Sequence, residues 1–107
     1  MIISAYAILV RERVEADKEL KNRSANDLGG MKIPGITFTE RAIYELKYHD
    51  ETGKHLDIQN ITLCSGSRGS VGRVPGVYWF SYCSGMNVNC YGPSRARDCL
   101  RAREVVS

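Results

Sequence analysis

The sequence predicts an α+β domain, a small antiparallel sheet of two hairpins (about four or five strands) packed against a C-terminal helix, with one N-terminal helix. Three observations predict it. Val77 to Cys83 is β-branched and aromatic, Ser84-Gly85-Met86-Asn87 offers turn residues, and Val88 to Tyr91 extends again. Ala42 to Leu63 carries two alternating segments around Asp50-Glu51-Thr52-Gly53-Lys54, which reads as a hairpin turn. After Gly92-Pro93-Ser94, the residues Ala96, Cys99, Leu100 and Val106 form an apolar stripe at helical spacing.

Taken in order, Met1 to Val10 alternates as a strand buried on both faces, although Ile3, Ala7, Val10 and Val14 also fit a helical stripe. The favoured reading is a strand to about Val10 and a helix from there to about Lys21. Residues 24–35, with Ser24-Ala25-Asn26-Asp27, Gly29-Gly30 and Pro34-Gly35, read as a connection. Thr37-x-x-Glu40 matches a helix capping box, but Ala42, Tyr44, Leu46 and Tyr48 alternate as in a half-buried strand, and the turn that follows favours the hairpin. Ser65 to Gly76 holds five glycines or prolines in twelve residues and reads as a flexible loop. The strand-turn-strand-helix outline of the last thirty residues resembles antitoxins of the HicB type and the sheet-reading DNA-binding domains at the start of some integrases.

With 107 residues, the chain has the size of one domain spanning 1–107 and needs no staple to bury a core. Hydrophobic content of 43% and charged content of 25% exclude a disordered or collagen-like chain. Met1 to Val10 is far shorter than the roughly 20 residues of a membrane span and lacks a basic leader. A cytoplasmic protein without a membrane partner is therefore expected. In that compartment Cys64, Cys83, Cys90 and Cys99 are expected as free thiols in or near the core.

Net charge is +3 and unevenly spread. Residues 1–60 hold nine Lys/Arg against ten Asp/Glu, whereas residues 61–107 hold six arginines (Arg68, Arg73, Arg95, Arg97, Arg101 and Arg103) against Asp98 and Glu104. Arginine's planar fork suits phosphate, carboxylate and aromatic faces, so the C-terminal half points to an anionic partner. Tyr78, Phe80 and Tyr82 share one strand face while Trp79 and Cys83 take the other. An open aromatic row beside arginines is how sheets stack unpaired bases.

Other chemistries find less. The cysteine gaps of eighteen, six and eight residues contain no C-x-x-C pair, and His49 and His55 are expected in solvent beside the turn, so no metal or cofactor is expected. If Met86-Asn87 is the turn, Cys83 falls opposite Cys90 within disulfide reach. Cys64-Ser65-Gly66, at the end of a strand, would suit an exposed nucleophile with His49 or His55 as base and Asp50 or Asp57 as orienter. Ile36 to Gly66, with ITFTERAIYEL and the later CSG, is similar to A-type iron-sulfur carriers, whose C-G-C pair has no counterpart here. The glycine-rich loop lacks the phosphate-cradling G-x-x-x-x-G-K-[ST] pattern.

The sequence thus points to a small non-enzymatic binding module contacting nucleic acid, or an acidic protein surface, through Arg68, Arg73, Tyr78, Phe80, Tyr82, Arg95, Arg97 and Arg101. Two alternatives stand beside it: a protein-binding regulator or inhibitor of the kind encoded by phages and mobile elements, and a thiol-dependent enzyme. Whether a second copy of the chain is a partner stays open at this level.

Overall fold

The computed structural model describes residues 9–68, 72–82 and 84–106. Expectations for Met1–Ile8, Cys83 and residues 69–71 fall outside them. Two helices, α1 (Ala25–Gly30) and α2 (Phe38–Thr52), accompany six strands: β1 (Leu9–Val10), β2 (Ile61–Leu63), β3 (Val74–Phe80), β4 (Gly85–Tyr91), β5 (Leu100–Ala102) and β6 (Val105–Val106). Strands β4-β3-β2-β5 form one mixed sheet, and β1 pairs with β6 in a second. The α+β class agrees with the sequence, but several elements do not.

The largest correction is α2, where a hairpin was expected. Its capping box forms in both directions: Thr37 Oγ1 accepts from the Glu40 N–H at 3.1 Å, and Glu40 Oε1 accepts from the Thr37 N–H at 3.0 Å. Gly53 ends the helix in the left-handed region at φ 73°, its N–H bonded to His49 O. The left-handed glycine was legible; its role as a helix terminator was not. The strand reading failed because the buried face of α2 is Glu40, Arg41, Tyr44, Glu45 and Tyr48, three of them charged, while Leu46 is 73% exposed. That face shows no apolar stripe for a 3.6-residue period to reveal.

The expected C-terminal helix is absent. Residues 92–99 form turns, and Leu100–Ala102 joins the sheet parallel to Ile61–Leu63. Leu100 and Ala102 are fully buried, a period of two that a stripe of only three or four apolar residues could not distinguish from a helix. The expected N-terminal helix to Lys21 is reduced to one 3-10 turn at Lys18–Leu20. Instead a short helix, α1, occupies the expected connection, started by Ser24 and Asp27 in a second reciprocal capping box.

The β3–β4 hairpin is real but turns elsewhere. Seven consecutive pairs run from Val74↔Tyr91 to Phe80↔Gly85, so the hairpin is not closed at Met86-Asn87, and Ser84, just before β4, has φ 48°. Cys90 stands opposite Pro75 and Met86 opposite Trp79, so Met86-Asn87 is not the turn on which a Cys83–Cys90 juxtaposition was conditional. The register also sorts the faces. Pro75, Val77, Trp79, Met86, Val88 and Cys90 point to the α2 side, where Val77 joins Tyr44, Tyr48, Leu56 and Cys64 in the core. Val74, Tyr78, Phe80, Asn87 and Tyr91 point to the other side, whose inner end is filled by Ala25, Leu63, Leu100 and Cys99.

Candidate functional site

Two clusters of chemistry-bearing side chains stand out, one sealed and one open. The sealed one centres on Asp57, fully buried and itself in the left-handed region at φ 55°. Its Oδ2 accepts from Arg41 Nε at 3.1 Å and from the Thr62 hydroxyl; its Oδ1 accepts from Arg103 Nη2 at 3.0 Å and from the Ala16 N–H at 2.8 Å. Arg103 also reaches the Arg13 and Val14 carbonyls at 2.9 Å, and its guanidinium lies 5.2 Å from the Tyr44 ring centroid. Arg41 donates to Glu45 at 3.3 Å, and the other oxygen of Glu45 lies 3.0 Å from His55 Nδ1. Every element meeting here contributes a bond, so the cluster is a hub that ties α2, β2, β5 and the 13–16 segment together.

Arg103, one of the six arginines read as available to an anion, is therefore spent inside the fold. His49 is exposed as expected and His55 half-buried, but they flank the end of a helix rather than a hairpin turn and stack: His55 lies 3.4 Å from the Trp79 ring and 4.4 Å from His49, with near-parallel planes. Cys64 is buried, its Sγ facing the Thr62 carbonyl at 3.9 Å, and burial pushes its thiol up to about 12. An activated nucleophile needs the opposite shift, so the thiol-enzyme reading loses its residue. Among the described residues no group of three His, Cys, Asp or Glu side chains is arranged to hold a metal, and no helix is long and apolar enough to cross a membrane.

The open cluster lies on the sheet face away from α2. Tyr78, Phe80 and Tyr82 follow one another along it with ring centroids 6.3 and 5.7 Å apart and planes tilted by 71° and 51°. Tilted contacts of this kind do not stack the rings face to face on one another. Phe80 is 38% exposed and Tyr82 95%. With Ile58, Asn60, Ile61 and Cys99 they line a groove of about 340 Å³. Asn87 sits opposite Tyr78, and Asn89 donates to the Tyr78 hydroxyl at 3.4 Å, which places two amides beside the rings.

No protein-family model, curated protein or solved structure matches this chain. The open cluster stands on its own residues.

The arginines divide by position. The β4–β5 connection starts at one edge of the sheet and ends at the other, and crosses on the aromatic side, where the Asn26 N–H bonds Pro93 O at 2.9 Å and Cys99 packs beside Leu100. Arg95 and Arg97, both exposed, ride on this crossing. Gly72 approaches Pro93, bringing Arg73 and Arg68 to the same end of the sheet; Arg68 donates to Gly72 O at 3.2 Å. Among the described residues none of these four arginines forms an ion pair. Arg101, paired in register with Thr62, projects to the opposite side, where it donates to Ala16 O at 3.3 Å. The aromatic row was legible in the sequence; the Asp57 hub was missed, since nothing local marks an aspartate that meets arginines 16 and 46 positions away.

Proposed function

We propose that the protein binds single-stranded nucleic acid, stacking unpaired bases on Tyr78, Phe80 and Tyr82 while Arg95, Arg97, Arg73 and Arg68 neutralise the backbone. The observation that supports this reading is the uncovered aromatic row itself. Three neighbouring rings line an open groove and belong to none of the core clusters, and contiguous exposed apolar surface of this kind marks an interaction site. A sheet face with aromatic side chains accepts bases of any identity, because every base has a π face, and each stack contributes about 1 to 3 kcal/mol. The flanking amides of Asn87 and Asn89 can donate to base edges. Arginines without an internal carboxylate keep their charge for phosphates.

The reading favours single strands over duplexes, since paired bases keep their faces inside the stack. Fluorescence anisotropy of short labelled oligonucleotides across a salt series tests it. Expected are tighter binding to single strands than to the matching duplex and a log–log salt slope of about −0.7 per neutralised phosphate. A slope near zero, or affinity indifferent to Tyr82→Ala, would sink it. Salt-dependent binding that ignores the aromatics would turn the arginines towards an acidic protein surface instead.

A further inference from the structure

The two edges of the four-stranded sheet are finished differently. At the β5 edge the chain covers itself: Asp17 bridges to Ala102, with the Asp17 N–H on Ala102 O at 2.9 Å, and the Asn22 N–H bonds Leu100 O at 3.1 Å. At the β4 edge, among the described residues, the backbone of residues 85–91 bonds only to β3, apart from Gly85 O, which accepts from Asn87 Nδ2 of the same strand at 3.1 Å. Natural sheets protect a bare edge with charge, proline, a bulge or shortness. β4 has none of these: it is seven residues long, GMNVNCY contains no charged residue or proline, and its register with β3 is unbroken.

The strand also reads nearly the same in both directions. About Val88 the order is Met86-Asn87-Val88-Asn89-Cys90, apolar, amide, apolar, amide, apolar. We propose that β4 is a self-pairing edge and that its occupant is the β4 of a second copy of this chain, antiparallel about a two-fold axis through Val88. A two-fold antiparallel pair opposes each residue to its mirror position. In this register Val88 meets Val88 of the second copy, Met86 meets Cys90 of the second copy, and Asn87 meets Asn89 of the second copy. Apolar side chains face apolar ones on one side of the sheet and amides face amides on the other, with no like charges opposed. Met86, Val88 and Cys90 are all exposed in the single chain, and the pairing would cover them.

The product is one continuous eight-stranded sheet. Since Tyr78 and Phe80 lie on the Asn87 side, both aromatic rows would then open on the same surface. The dimer does not depend on the nucleic-acid reading, and the two are tested by different measurements.

Light scattering coupled to size exclusion, and sedimentation, give the mass of the full chain over the micromolar to millimolar range in a reducing buffer. The expected result is a concentration-dependent dimer that Val88→Lys, which opposes two lysines at the axis, converts to a monomer with an unchanged circular-dichroism spectrum. Cross-linking fixes the register without requiring a folded lysine variant. In a Cys90→Ser background, Val88→Cys should give a disulfide-linked dimer on mild oxidation. Met86→Cys should not, because its counterpart lies four residues along the strand, roughly 13 Å away. An unmodified chain that stays monomeric throughout would overturn the proposal. So would a dimer that survives Val88→Lys, or cross-linking equal at positions 86 and 88.

Discussion

Two groups of arginines in this protein differ in a way that residue type does not reveal. Arg41 and Arg103 are buried and hold Asp57 between them; Arg68, Arg73, Arg95 and Arg97 are exposed and meet no carboxylate among the described residues. The first group is consumed inside the fold, and the second keeps its charge at the surface. The difference teaches that charge excess in a segment of sequence is not charge offered to a partner, because part of it may be consumed by the fold.

The sharpest way to break this comparison is at the hub. Asp57→Ala leaves the Arg103 guanidinium buried without its counter-ion and Arg41 with Glu45 alone, and removing one partner of a buried pair costs about 3 to 5 kcal/mol. Urea denaturation should show that loss, whereas a mild effect would mean the hub is open to water. Arg103→Ala should destabilise on the same scale, while the paired change Arg95→Ala with Arg97→Ala should stay within about 0.5 kcal/mol.

A second test concerns the aromatic end. Tyr82→Ala should leave the melting temperature where it is and weaken oligonucleotide binding by about 1 to 3 kcal/mol, the worth of one stacked base. Loss of stability without loss of affinity would make Tyr82 a packing residue.

Gly53 sharpens the helix assignment. With φ at 73°, Gly53→Ala puts a Cβ in the left-handed region, although nothing lies within 4 Å of it, so the cost of about 1 to 2 kcal/mol would be conformational. Thermal denaturation measures it, and a neutral result would show that the C-terminus of α2 frays.

The cysteines contrast burial with exposure. The Cys64 thiol is held well above its ordinary value by burial, so the folded state binds a proton that the unfolded chain releases near pH 9. This contribution to stability is intact below that pH and falls as pH rises towards about 12. At dilutions where the chain is monomeric, alkylation followed by mass spectrometry should label Cys90 in the native protein and Cys64 only after unfolding. Equal rates at the two positions would contradict the burial.

Much of the local punctuation was legible in the sequence. Thr37 and Glu40 form the capping box that their spacing announces, and Ser24 and Asp27 form another that was read as a break because Gly29 and Gly30 follow so soon. The strand that carries Tyr78 and Phe80 was legible from its β-branched and aromatic run, although it stops at Phe80 and leaves Tyr82 in the turn residues beyond it. What misled was periodicity: α2 buries charged residues, so its inward face carries no apolar signal, and Leu100–Ala102 is too short for its period to decide anything.

The sequence by itself determined the α+β class, the β3–β4 hairpin, the left-handed Gly53 and the aromatic row, because each depends on residues within one turn or one strand of one another. Tertiary contacts alone set the parallel run of Leu100–Ala102 beside Ile61–Leu63, the closing of Arg41 and Arg103 on Asp57, and the contrast between the covered β5 edge and a β4 strand that, among the described residues, pairs only with β3. Those outcomes depend on groups tens of residues apart being desolvated together. In that setting an arginine is stable only beside its carboxylate, and a strand takes whichever neighbour buries its apolar face. No local pattern along the chain encodes that choice.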